Sequence, residues 1–166
     1  LISPFIIRRT KEQVEKDLPE KTEDILYCTM ENEQQKVYDA FRNKYRNYLM
    51  NKIEMDGLAK SKIYVLEGLL KLRQICDSPG ILSDEEQYVS ESVKIKELLR
   101  HINEKTGKHK LLVFSQFVKM LQLIKIQLDD GGISYEYFDG KRSINQRQDI
   151  VNRFQNYEKC RVYLIS

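Results

Sequence analysis

Cysteine is scarce and scattered: the three thiols, Cys28, Cys76 and Cys160, never approach C-x-x-C spacing. That spread argues against a zinc site or a disulfide framework and predicts reduced thiols. Long apolar runs are missing too. No window comes near the roughly 18 to 20 apolar residues that a membrane-spanning helix needs. The start, LISPFIIRRTKEQ, has no small-residue cleavage site after its short apolar stretch. The expectation is a soluble, non-secreted chain with no membrane partner. Charge of one sign does not dominate either, since 28 Lys and Arg stand against 25 Asp and Glu for a net charge of +3. Any surface for a polyanion must therefore come from local placement of cations, not from overall charge.

Catalytic signatures are absent as well. There is no G-x-x-x-x-G-K-[ST] loop; KTGKHK, Lys105 to Lys110, holds Gly107 and Lys108, but a strand pattern follows where a phosphate-cradling helix would be needed. It reads as a turn. His101 and His109 are eight residues apart with no carboxylate or thiol at ligand spacing, which leaves them as surface residues and predicts no metal site. No Ser-His-Asp arrangement and no H-E-x-x-H occurs, so the sequence offers no complete active site.

What is present is enough apolar material, 41% of 166 residues, for one core or one core with a satellite helical layer. Residues 1–30 combine the basic cluster Arg8, Arg9 and Lys11 with LPEK and a strand-like EDILYCTM. Residues 31–90 are helical in rhythm. Val37, Phe41, Tyr45 and Tyr48 recur at steps of four and three after a capping-box pair, Asn32 and Gln35. A second helix, from about Leu58 to Ile75, places Ile63, Leu66, Leu69, Leu70 and Arg73 near one face, and DSPG stops it. The acidic SDEEQYVSES reads as a solvated loop.

Residues 91–166 alternate helix and strand. Ile95, Leu98, Leu99 and Ile102 mark one helix; KLLVFS is a short apolar run of the kind buried in parallel sheets. Phe117, Met120, Leu121, Ile124 and Leu128 define an amphipathic helix closed by Gly131 and Gly132. ISYEYF is a second strand. Ser143 and Gln146 make a capping box for a helix with Ile144, Ile150, Val151 and Phe154 on its apolar side, and RVYLI is the third strand. Strands joined by single helices run parallel, with right-handed crossovers, which predicts an open α/β sheet. Since no crossover helix follows RVYLI, that strand is expected to be uncovered, within a sheet cut inside a functional loop. An unpaired edge and bare apolar faces predict self-association.

In parallel sheets ligands bind outside the carboxyl ends of the strands. The rule selects Ser115 and Gln116 after the first strand, Asp139, Gly140, Lys141 and Arg142 after the second, and Ser166 after the third. Two of these loops lead into helix N-termini, which attract anions. Two readings stay open: the loops bind phosphate oxygens, or Ser115 and Ser143 cap helices while Lys141 and Arg142 are solvated.

The order of six segments, FIIRRTKEQVEKDLPEKTE, LLKLRQICDSPGIL, SVKIKELL, KLLVFSQF, YFDGKRSINQRQDIVNRF and VYLIS, resembles the C-terminal half of the Swi/Snf-related DNA-dependent ATPases in the superfamily-two helicase group. The likeness covers nearly the whole chain. It implies a partial RecA-like parallel sheet with crossover helices and a helical insertion: an inter-lobe lead-in (1–30), the insertion with its acidic loop (31–90), and the first half of the C-terminal lobe (91–166). LLVFSQF is similar to helicase motif IV, FDGKRSINQR to the segment after it, and Ser166 to the first residue of motif V. By that resemblance Ser115, Gln116, Gly140, Lys141, Arg147 and Ser166 are DNA-backbone contacts. Lys141 departs from the family, which commonly has a small hydroxylic residue there.

Arg8 and Arg9 match a stretch near the junction between lobes, where they either brace one lobe on the other or form a plain surface cluster. The implied partners are double-stranded DNA and the N-terminal RecA-like lobe of the same protein. ATP and Mg are implied cofactors of the intact parent, and none is expected for this chain, which lacks the P-loop and the arginine finger and is expected to hydrolyse nothing alone. The implied location is the cytoplasm or nucleoid in bacteria or archaea and the nucleus in eukaryotes. Two other functions stand beside the motor reading: a stand-alone DNA-backbone-binding module, and an unrelated nucleotide-binding α/β domain.

Overall fold

The computed structural model describes residues 7–15, 17, 19–82, 88, 92–140 and 144–166. Among these residues six α-helices and three strands run in the order α1 (Lys11–Val14), α2 (Asn32–Asp56), α3 (Leu58–Asp77), α4 (Val93–Arg100), β1 (Leu111–Phe114), α5 (Val118–Asp130), β2 (Tyr135–Phe138), α6 (Ile144–Asn156) and β3 (Val162–Ile165). Residues 23–30 form no strand. Ile25, Leu26 and Tyr27 are exposed there, and among the described residues no strand pairs with this segment.

The helical hairpin turns on Gly57, whose φ of 80° ends α2 and begins α3 in a single residue. A left-handed φ of this kind favours glycine, which has no Cβ to clash with the carbonyl. The Asn32–Gln35 capping box does not form: Glu31 is the N-cap and no side chain caps the helix. The α3 stripe Ile63, Leu66, Leu69 and Leu70 is exposed. Ser61, Gly68 and Ile75, which recur every seven residues, are the buried ones. The small residues of this seam, Ser61 and Gly68, let the two helices approach closely, since a Cβ on Gly68 would lie 3.0 Å from the Tyr45 ring. Tyr48 and Tyr64 meet edge to face across the same hairpin, centroids 5.7 Å apart.

Of the acidic loop only Tyr88 and Ser92 are among the described residues, so the expectation of a solvated loop falls mostly outside them. Its Tyr88 ring packs edge-on against Phe41 at 5.9 Å, and Ser92 is buried, where its hydroxyl caps α4 by accepting from the Ile95 N–H at 3.3 Å. The Ser143–Gln146 capping box falls partly outside the described residues.

The sheet is parallel throughout, in the order β1–β3–β2. The third strand, expected to lie uncovered, is instead the central one: two crossovers insert β3 between β1 and β2, with Leu164 paired to both Val113 and Tyr137. Among the described residues the free edges belong to β1 and β2. The α4 and α5 helices cover one face, where Ile95, Met120, Leu121, Ile124 and Leu128 pack on Val162 and Leu164. On the other face α6 brings Ile150 and Phe154 onto Tyr163. Each leucine fully buried in this way is worth about 1.5–3 kcal/mol.

Coverage from both sides explains why β3 reads as a continuous apolar run, whereas β1 alternates: Leu112 and Phe114 are 50% and 69% exposed. The α5 helix ends as expected at its glycines, with Gly132 at φ 64° and the Ile133 N–H donating to the Leu128 carbonyl at 2.8 Å. Of the expected apolar side of α6, Ile150 and Phe154 are buried, but Val151 is 37% exposed.

Candidate nucleic-acid interface

The carboxyl ends of the three strands are stitched into one rim. The Ser115 N–H donates to the Ile165 carbonyl at 3.1 Å, and the Ser166 N–H donates to the Phe138 carbonyl at 3.2 Å. Above β1 and β3 the rim opens into a cleft of about 670 Å³ lined by Ser115, Gln116 and Ser166, a size typical of ligand sites. Its floor is apolar, from Val113, Phe114 and Ile165.

Ser115 has a local role as well. Its hydroxyl accepts from the Phe117 N–H at 3.2 Å and so shapes the turn into α5. Its proton is directed at the Phe117 carbonyl, 3.4 Å away, and has to rotate off that oxygen to donate to a phosphate. Gln116 and Ser166 are exposed.

The other predicted residues do not share this cleft. Gly140 is exposed after β2, and an added Cβ would meet nothing within 4 Å, so no contact among the described residues demands a glycine there. Arg147, on the first turns of α6, holds its guanidinium 5.2 Å from the centroid of the Phe138 ring, a cation–π arrangement that orients the charge beside the β2 end. Lys141 and Arg142 lie outside the described residues. Arg8 and Arg9 are exposed ahead of α1 and do not line the cleft.

One wall of the cleft comes from residues that the strand-end rule does not reach. Arg73, Cys76 and Asp77 at the end of α3 face Lys94 on α4. Lys94 Nζ and the Asp77 carboxylate form an ion pair at 2.6 Å, and the Ser92 hydroxyl donates to the Asp77 carbonyl. Burial pushes the Cys76 thiol up, against the opposing pull of the Lys94 ammonium, which keeps it a thiol near neutral pH and removes it as a nucleophile. The cleft can therefore bind and orient, through one guanidinium, one amide and two hydroxyls. Gln34 holds this wall in place. It is buried, its Nε2 donates to the Ile75 carbonyl at 2.8 Å, and its Oε1 accepts from the Val93 N–H at 3.2 Å. Nothing in the sequence pattern singles it out.

The SNF2-related domain family matches residues 1–81, and the Helicase conserved C-terminal domain family matches residues 93–166. An ATP-dependent helicase of Mycoplasma pneumoniae is 31% identical over 165 residues, covering 99% of this chain and 15% of that protein. The yeast DNA repair and recombination protein RAD26 is 32% identical over 180 residues, covering all of this chain and 16% of its own. The chain thus spans about one-sixth of the length of these relatives. Among solved structures, the Sulfolobus solfataricus SWI2/SNF2 ATPase core in complex with dsDNA superimposes with a TM-score of 0.77 at 36% identity, over 99% of this chain and 35% of that one. Two family matches in tandem and a shared RecA-like fold place this chain in the Swi/Snf group of superfamily-two helicase-like ATPases, as part of the C-terminal lobe.

Proposed function

We propose that this chain is part of the second motor lobe of an ATP-dependent translocase on double-stranded DNA that remodels protein–DNA complexes, and that the strand-end rim carries the DNA backbone. The observation that supports this most directly is the accessible cleft joining Ser115, Gln116 and Ser166; Arg147 stands apart from it, its guanidinium against the Phe138 ring at the end of β2. Hydroxyls, an amide and a guanidinium recognise phosphate oxygens without reading bases, which suits a protein that moves along any sequence. In the parent, opening and closing of this lobe against an N-terminal RecA-like lobe would couple DNA affinity to the state of the nucleotide. Arg8 and Arg9 are proposed to stand at that junction.

ATP with Mg supplies the driving chemistry in the family. The residues described here do not fit that site alone. The carboxylate in the cleft, Asp77, is committed to Lys94, and no group of three His, Cys, Asp or Glu side chains converges among the described residues. What this chain contributes is backbone binding.

Fluorescence anisotropy with a labelled duplex of mixed sequence tests the reading. Affinity should fall with salt at a slope near 0.9 per neutralised phosphate, and Lys141→Glu should weaken binding and flatten that slope. A signal indifferent to salt or to Lys141→Glu would refute it.

A further inference from the structure

We propose that Arg73, near the end of α3, is a further DNA-backbone contact, so that the helical hairpin forms one side of the DNA track. This rests on the reading of the rim as a backbone-binding site and extends it to an element that the strand-end rule leaves out. Arg73 is exposed and lines the same cleft as Ser115, Gln116 and Ser166. Two cations and one carboxylate border that cleft. Asp77 and Lys94 satisfy each other at 2.6 Å, which leaves the charge of Arg73 uncompensated inside it. Arg73 makes no hydrogen bond or ion pair among the described residues.

The chemistry selects phosphate. A guanidinium presents donors in a planar fork matched to two oxygens of one phosphate, with an amide and two hydroxyls facing it across the cleft. The apolar floor of Val113, Phe114 and Ile165 suits the uncharged faces of the deoxyribose rings between phosphates. A peptide partner would make use of the exposed Ile63, Leu66 and Leu70 on the same helix, but these do not line the cleft, and an apolar partner there leaves the guanidinium without a counter-charge.

The test uses the full chain and the salt dependence of anisotropy, with duplex and single-stranded oligonucleotides of equal length. Arg73→Ala should reduce the salt slope on duplex by about 0.9, one phosphate contact. Between about 50 and about 200 mM salt it should therefore lose roughly threefold less affinity than the parent sequence. Arg73→Lys should keep most of the slope, and Lys62→Ala, exposed on the same helix but outside the cleft, should leave it unchanged. A slope unaffected by Arg73→Ala while Lys141→Glu lowers it would overturn the assignment of Arg73 and leave the rim reading standing. If neither substitution changes the slope, both fail. A loss seen on single strands but not on duplex would also overturn it. Circular dichroism melts that coincide for Arg73→Ala and the parent sequence exclude unfolding as the cause.

Discussion

Gln34 decides how the early helices sit on the lobe. Its amide donates to carbonyls 41 and 42 residues away and accepts from an N–H 59 residues away, so a single side chain ties α2 to the end of α3 and the start of α4. Truncation to Ala would strand a buried carbonyl and a half-buried N–H, which costs about 1–3 kcal/mol. Chemical denaturation should show that loss as a lower midpoint with an unchanged slope; a midpoint within error of the parent would mean that water or a neighbour satisfies both groups. The residue could not be found in the sequence, because a polar side chain between helical apolar positions reads as solvent-facing. Its partners are backbone atoms, which no side-chain pattern reports. Ser115, Gln116 and Ser166 were legible because a general rule about strand ends selects them. Arg73 was not, since its place in the cleft depends on where the hairpin docks.

The hairpin and the sheet differ in how much of each the sequence discloses. For α5, the apolar positions Met120, Leu121, Ile124 and Leu128 are the buried ones, since a helix lying on a sheet buries its widest apolar stripe. For α3 the stripe and the buried seam part company. Close packing on α2 selects Ser61 and Gly68 for their size, and Ile63 and Leu66 are left in solvent. Gly68 provides a check.

With the Tyr45 ring stacked on Phe41 at 6.4 Å and its hydroxyl donating to Glu67 at 3.3 Å, a methyl at position 68 meets a ring with limited room to move. Gly68→Ala should therefore yield none of the roughly 1 kcal/mol that Ala gains over Gly in a helix. In a Tyr45→Ala background the same substitution should stabilise by close to that amount. Thermal denaturation of the four proteins in this cycle measures the coupling. Equal effects in both backgrounds would mean that the ring does not limit the approach of the helices.

Across the whole molecule, the alternation of helices and strands after Val93 foretells a parallel sheet, and the sheet is there. Strand order is a different matter. The run RVYLI announces burial on both faces but cannot reveal that it lies between two older neighbours, because crossover length is compatible with placement on either side. The consequence is functional. With β3 in the centre, the ends of β1, β3 and β2 form a continuous rim bonded through Ser115 and Ser166, instead of three loops whose order is unknown.

Hydrogen exchange of the full chain with and without duplex DNA tests that rim most directly. The account predicts slowed exchange at the ends of β1 and β3, around Ser115, Gln116 and Ser166, and at the last turn of α3, with the middle of α2 unaffected. Protection confined to α2, or none at DNA concentrations that saturate binding, would contradict it.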